Sequence, residues 1–113
     1  MKRIYTFGHE QVERNITVGD IIKNKQKDIK MTQVTAANQE EAEIIAKQNI
    51  DMIITGSDWY EDVRKGAPNT FITAALFAGR FITNEEILRG AFEVMMAGAD
   101  SVLTPRSFDV VEM

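Results

Sequence analysis

Asn49-Ile-Asp-Met-Ile-Ile-Thr-Gly-Ser57 decides how this chain is read. Its centre is a short apolar run that ends in small polar residues. Three other stretches share the form: Met31-Thr-Gln-Val-Thr-Ala36, Thr70-Phe-Ile-Thr-Ala-Ala-Leu76 and Asp100-Ser-Val-Leu-Thr-Pro105. Each of the four reads as a strand followed by a capped helical stretch or a break. Strands alternating with helices predict parallel βαβ units, whose crossovers nearly all share one hand. Ligands of such folds sit at the C-terminal ends of the strands, where this sequence places threonines, serines and arginines.

The helices between the strands carry their own signals. Thr17 with Asp20 three residues on predicts a capped helix over residues 18–27. Asn38-Gln-Glu-Glu41 has the form of a capping box, with Ala42, Ile45, Ala46 and Asn49 on one face. Asp58-Trp-Tyr-Glu61 opens a short helix that ends at Lys65-Gly66, before Pro68. Thr83-Asn-Glu-Glu86 is a cleaner capping box. The helix behind it shows the stripe Leu88, Ala91, Phe92 and Met95 and stops at Gly98. Ser107 to Met113 reads as the first turns of a further helix. Residues 1–15 form an N-terminal arm and residues 16–113 the α/β domain.

At 113 residues the chain is one domain, too short for a closed eight-stranded barrel. A net charge of −4 gives no electrostatic reason to expect nucleic acid or an anionic membrane. The one basic cluster, Lys23, Lys25, Lys27 and Lys30, is interleaved with Asp20 and Asp28 and reads as a solvated face. The absence of cysteine excludes disulfides, thiolate nucleophiles and zinc–sulfur sites. Met1-Lys2-Arg3 has no apolar run behind it, and no stretch has the length of a membrane span. The expectation is a soluble, cytoplasmic protein.

Five stretches then resemble the ketopantoate (3-methyl-2-oxobutanoate) hydroxymethyltransferases, of the phosphoenolpyruvate mutase and isocitrate lyase superfamily. They are Ile16-Thr-Val-Gly-Asp-Ile-Ile22, Lys30-Met-Thr-Gln-Val-Thr-Ala36, Asn49 to Ser57, Arg64-Lys-Gly-Ala-Pro68 and Ala97-Gly-Ala-Asp-Ser-Val102. They occur in the family's order and cover about residues 16–112, the first half of a family member. The resemblance implies half of a TIM-type barrel with about four strands, from the N-terminal part of such an enzyme. It implies an aldol-type one-carbon transfer to a 2-oxo acid of the pantothenate pathway, with the family's base in the other half.

It also implies magnesium, held in the family by a Gly-Asp-Ser turn after the second strand and an Asp-Met-Pro-Phe turn after the third. A Lys-Leu-Glu-Gly turn follows the family's fourth strand. This chain has Gly56-Ser57-Asp58, Ala75-Leu76-Phe77 and Leu103-Thr104-Pro105-Arg106 at those places. Asp58 is then the one carboxylate offered to a metal, and an N-cap role competes for it and is preferred. Without the metal, enolate charge would need other donors, such as Arg80 or Arg106. The 113 residues alone are therefore expected to be inactive in the family reaction.

The candidate substrate contacts are Ser57, Thr35, Arg80 and Arg106. The arginines are suited to a bidentate grip on a carboxylate. Gln33, Thr55, Thr73 and Thr104 join Thr35 either as lining of a polar pocket or, preferred, as buried hydroxyls bonded to backbone. His9 has no partner pattern for chemistry. An alternative is a non-catalytic half-barrel that binds a small carboxylate and assembles with copies of itself, because a bare sheet face is an association surface. A doubly wound binding domain ranks last, since the first strand leads into neither clustered acids nor a glycine-rich turn.

Overall fold

The computed structural model describes residues 1–76 and 83–104. The N-terminal arm is a hairpin. Strands β1 (Lys2–Tyr5) and β2 (Gln11–Arg14) pair antiparallel, with Lys2 opposite Arg14 and Tyr5 opposite Gln11. Its turn is closed by the Thr6 amide on the Glu10 carbonyl at 2.8 Å and the His9 amide on the Thr6 carbonyl at 2.9 Å. His9 itself takes a positive φ of 65°, a conformation more open to histidine than to branched residues.

Helix α1 (Val18–Gln26) follows, with the expected capping box. Thr17 accepts from the Asp20 amide, and the Asp20 carboxylate accepts from the Thr17 amide. None of its residues is buried. Then come β3 (Gln33–Thr35), α2 (Gln39–Ala46), β4 (Met52–Gly56), a 3-10 turn (Ser57–Trp59), α3 (Tyr60–Gly66), β5 (Phe71–Ala75), α4 (Asn84–Met96) and β6 (Ser101–Leu103). The four apolar runs thus form four parallel strands alternating with helices, in the order β3-β4-β5-β6. None of the described helices is long and apolar enough to cross a membrane.

That order explains the layering. Sequential parallel strands joined by crossovers of one hand carry successive helices on the same face, and no reversal of order appears. Burial agrees. Ile53, Thr55, Ile72 and Ala74, alternate residues of the central strands, are buried with Ala42, Tyr60, Val63 and Val94 from the helices. Burying each large aliphatic side chain contributes about 1.5–3 kcal/mol relative to exposure. The opposite face is more open: Met52, Ile54, Thr73 and Ala75 are only half-buried, and Thr35 and Leu103 are exposed. Among the described residues Phe71 is the one large side chain buried on it.

Two helices depart from the sequence reading. On α4 the buried residues are Ile87, Gly90 and Val94, while Leu88 is 50% and Phe92 56% exposed. Apolar residues cover more than half of this helix's circumference, so periodicity alone did not select the face. Glycine and β-branched side chains gave the closer approach to the sheet. Phe92 instead meets the Phe7 ring of the hairpin edge-on, centroids 5.5 Å apart. On α2 only Ala42 is buried, because the helix ends at Ala46 and leaves Asn49 outside it. Glu41 reaches back to the Ala37 amide at 2.7 Å rather than to Asn38, so this N-terminus is capped without a full box. Gly66 lets α3 cross α2 closely, since a Cβ there would lie 2.2 Å from the Gln39 carbonyl oxygen.

Candidate functional site

At the amino end of the sheet lies a buried charge cluster that the sequence reading did not assemble. Arg14, at the end of β2, donates through Nε to both Asp100 oxygens at 2.8 and 3.0 Å. Arg64 of α3 donates to the same carboxylate at 2.8 Å, as does the Ile72 amide at 2.9 Å. The side chains of Arg14 and Asp100 are 3% and 4% exposed. One carboxylate faces two guanidiniums, and the surplus positive charge is met by carbonyl oxygens. Arg14 also donates to Glu13, Pro68 and Gly98, and Arg64 to Ala67 and Thr70, the last at 2.6 Å.

These donors are consumed by the chain itself, and the cluster joins the hairpin, α3, β5 and β6. It reads as a structural clamp on the face of a βα sheet associated with stability. Two quoted motifs carry its members: Arg64 lies in Arg64-Lys-Gly-Ala-Pro68, and Asp100 in Ala97-Gly-Ala-Asp-Ser-Val102. Asn15 extends the clamp. Its Oδ1 accepts from the Phe71 amide and its Nδ2 donates to the Asp51 carbonyl, both at 2.8 Å.

The carboxyl end is built differently. Gly56 ends β4, and the 3-10 turn places Ser57 and Asp58 at the mouth of a cleft of about 150 Å3 between α3 and α4. Tyr60, Glu61, Glu93 and Val94 line it further. The Ser57 hydroxyl is buried with no hydrogen-bond partner among the described residues, and so is that of Thr55, a residue only 2% exposed. The preferred reading of Thr55, a buried hydroxyl bonded to backbone, is therefore corrected: it is buried and unbonded. Its side chain is the helix-facing one at that position of β4, where the strand's own ladder absorbs the neighbouring carbonyls.

Asp58 does not occupy an N-cap position. The N-cap positions are Gly56 for the 3-10 turn and Trp59 for α3, and neither makes a side-chain capping bond. The 3-10 turn starts one residue too early for Asp58 to precede it. Thr35 ends β3 on the open sheet face, beside Ile54 of β4. Ser57 and Asp58 are thus brought together, and Thr35 stands on the neighbouring strand. Arg80 and Arg106 lie outside the described residues. Gln33, grouped with the strand-end residues, is the first residue of β3 and sits at the amino end. His9 belongs to the hairpin turn.

Burial, the largest influence, raises the Tyr60 phenol above its ordinary value, against the lowering effect of the adjacent Arg64 guanidinium. Its oxygen accepts from Arg64 Nε at 2.9 Å, so this tyrosine links cleft and clamp.

The magnesium implied by the resemblance calls for one or two carboxylates at the strand ends. Residues 75–82 and 103–106 contain none. Asp58, Glu61 and Glu93 share the cleft, yet among the described residues no group of three or more histidine, cysteine, aspartate or glutamate side chains is placed to hold an ion. The donors do not make the family's arrangement. No family model, no curated protein and no solved structure matches the chain, so a functional reading rests on its residues and geometry.

Proposed function

We propose that this chain is a (β/α) half-barrel of the ketopantoate hydroxymethyltransferase lineage, holding a small 2-oxo acid at the carboxyl ends of its strands. The observation that carries the reading is the strand order. Four parallel strands in sequence, with the described helices packed on one face and the other face more open, support a half-barrel reading over a doubly wound one. The resemblance supplies the ligand class, and the unpartnered Ser57 hydroxyl supplies a donor that a keto or carboxylate oxygen would satisfy.

The cleft's own charge sets a condition. Asp58, Glu61 and Glu93 oppose an anion approaching from the helix side. The ligand's carboxylate therefore faces the open side of the sheet, near Thr35, with Arg80 and Arg106 as the cations proposed to balance it. With no carboxylate in residues 75–82 or 103–106, where the resemblance puts further magnesium ligands, the reading is that these residues bind and orient the acid and that the chain by itself does not carry out the aldol addition.

Titration of isotopically labelled protein with 3-methyl-2-oxobutanoate tests this. Saturable amide shifts at Ser57 and Thr35, unchanged by magnesium and reduced in Ser57→Ala, are expected. Hydroxymethyl transfer by the chain alone should be undetectable. The absence of any saturable shift up to millimolar acid would sink the reading.

A further inference from the structure

Beneath the hairpin, at the amino end of the sheet, lies a second cavity, of about 280 Å3. Its walls come from residues 4–7 of the hairpin, residues 16–18 at the start of α1, Phe71 of β5, and residues 95, 99 and 100 around the end of α4. The hairpin spans this space as a strap held at both ends. At its base Arg14 and Asn15 are tied into the clamp, and Lys2 pairs with Asp20 of α1. At its tip Phe7 rests on Phe92.

We infer that this cavity is a binding site for a small, neutral aromatic molecule that carries one N–H or O–H donor. Its size suits a fused pair of rings, since an engineered cavity of about 150 Å3 in another protein already takes benzene. Its lining suits a planar ring. Tyr5, Phe7 and Phe71 offer edge-to-face contacts, and Met95 offers a thioether. Tyr5 is 71% and Phe7 51% exposed, so both rings gain burial when a molecule seats between them and Phe71.

Charge and hydrogen-bonding capacity select the donor. Asp100 is the one charged residue among those lining the cavity. Its Oδ2 accepts from Arg14, Arg64 and the Ile72 amide at 3.0, 2.8 and 2.9 Å. Among the described residues Oδ1 accepts from Arg14 Nε alone, at 2.8 Å. A carboxylate oxygen accommodates about two hydrogen bonds, so Oδ1 has room for one more donor. The Thr17 hydroxyl, also in the wall, is committed to Asp20. An anion would meet the carboxylate, and a cation would join two guanidiniums already set against it. A neutral donor meets neither obstacle. The site stands apart from the 2-oxo acid reading, at the opposite end of the sheet from Ser57 and Thr35.

Indole is the probe, followed by amide shifts of the isotopically labelled 113-residue chain. Saturable shifts are expected at Ile16, Phe71 and Ala99, with Ser57 and Thr35 unmoved. Benzofuran has the same shape with a ring oxygen in place of the N–H. It should bind about tenfold more weakly, the loss that one unmade hydrogen bond gives. Benzoate and benzylamine should not bind. Val18→Trp, at a rim position 53% exposed, should fill the cavity and abolish indole binding. Tyr5→Ala should weaken it by about three- to tenfold. Both positions are open enough to leave the circular dichroism unchanged.

The absence of saturable shifts up to millimolar indole overturns the inference, because the cavity then holds only water. Binding that survives both Val18→Trp and Tyr5→Ala overturns it as well, since the molecule then sits elsewhere. Benzofuran, benzoate or benzylamine binding as tightly as indole removes the assigned ligand class. A chain that binds indole and ignores 3-methyl-2-oxobutanoate upholds this site and removes the proposed function, and the reverse result does the opposite.

Discussion

The two ends of the parallel sheet treat polar groups in opposite ways. At the amino end, Arg14, Arg64 and Asp100 are withdrawn from water and matched with one another, with backbone carbonyls and with the Ile72 amide. At the carboxyl end, the hydroxyls of Thr55 and Ser57 are withdrawn from water and matched with nothing among the described residues. A buried polar group without a partner is disfavoured by about 1–3 kcal/mol, whereas a matched one is close to neutral or favourable. One end therefore fixes the fold, and the other keeps unused hydrogen-bonding capacity where βα folds place ligands.

The sharpest way to break the contrast is Asp100→Ala. It leaves the buried Arg14 guanidinium facing the partly buried one of Arg64 without a counter-ion, and should remove about 3–5 kcal/mol from the stability measured by urea unfolding. A loss below about 1 kcal/mol would mean the clamp is solvated in practice. Asn15→Ala comes next. It orphans the Phe71 amide and the Asp51 carbonyl, and about 1–3 kcal/mol should be lost in the same measurement. At the other end the sign reverses. Thr55→Val replaces an unbonded hydroxyl by a methyl of similar shape and should stabilise by about 1 kcal/mol. A destabilisation there would show that the hydroxyl has a partner in solution, such as a bound water.

The smallest effect concerns Tyr60, which touches both ends. Burial raises its pKa, so the folded protein holds the phenolic proton more tightly than the unfolded chain does. Its contribution is intact below the ordinary phenol value of about 10 and declines as pH rises beyond it. Unfolding free energy measured across that range should fall less steeply in Tyr60→Phe.

The parts of the fold that were legible are those encoded within a few residues. Thr17 with Asp20 and Thr83 with Glu86 make the capping boxes their spacing announces, and Ile53 and Ile72 sit in strands that their flanks delimit. The face of α4 was less legible, because choosing Val94 over Phe92 depends on what the sheet and the hairpin offer from elsewhere. The hairpin pairing itself depends on a left-handed residue at His9, which composition does not announce.

Least legible was the clamp, whose members are separated by 86 and 36 positions. Arg14 gives no local hint of a partner that far away. At the carboxyl end, the proximity of Ser57 and Asp58 followed from adjacency in sequence. The unmet hydroxyl of Thr55 could be found only after the carbonyls around it had been assigned.

The distance between Arg14 and Asp100 along the chain also sets an order of events during synthesis. At roughly 5–20 residues per second, a ribosome needs about 4–17 seconds to add the 86 residues that separate them. Throughout that interval Arg14 lacks its counter-ion, and the hairpin that carries it lacks its main anchor. The hairpin is thus made well before Asp100 and is among the last segments to dock. A nascent chain stalled short of residue 100 would expose the hairpin and the start of β5 to proteases that the finished protein resists.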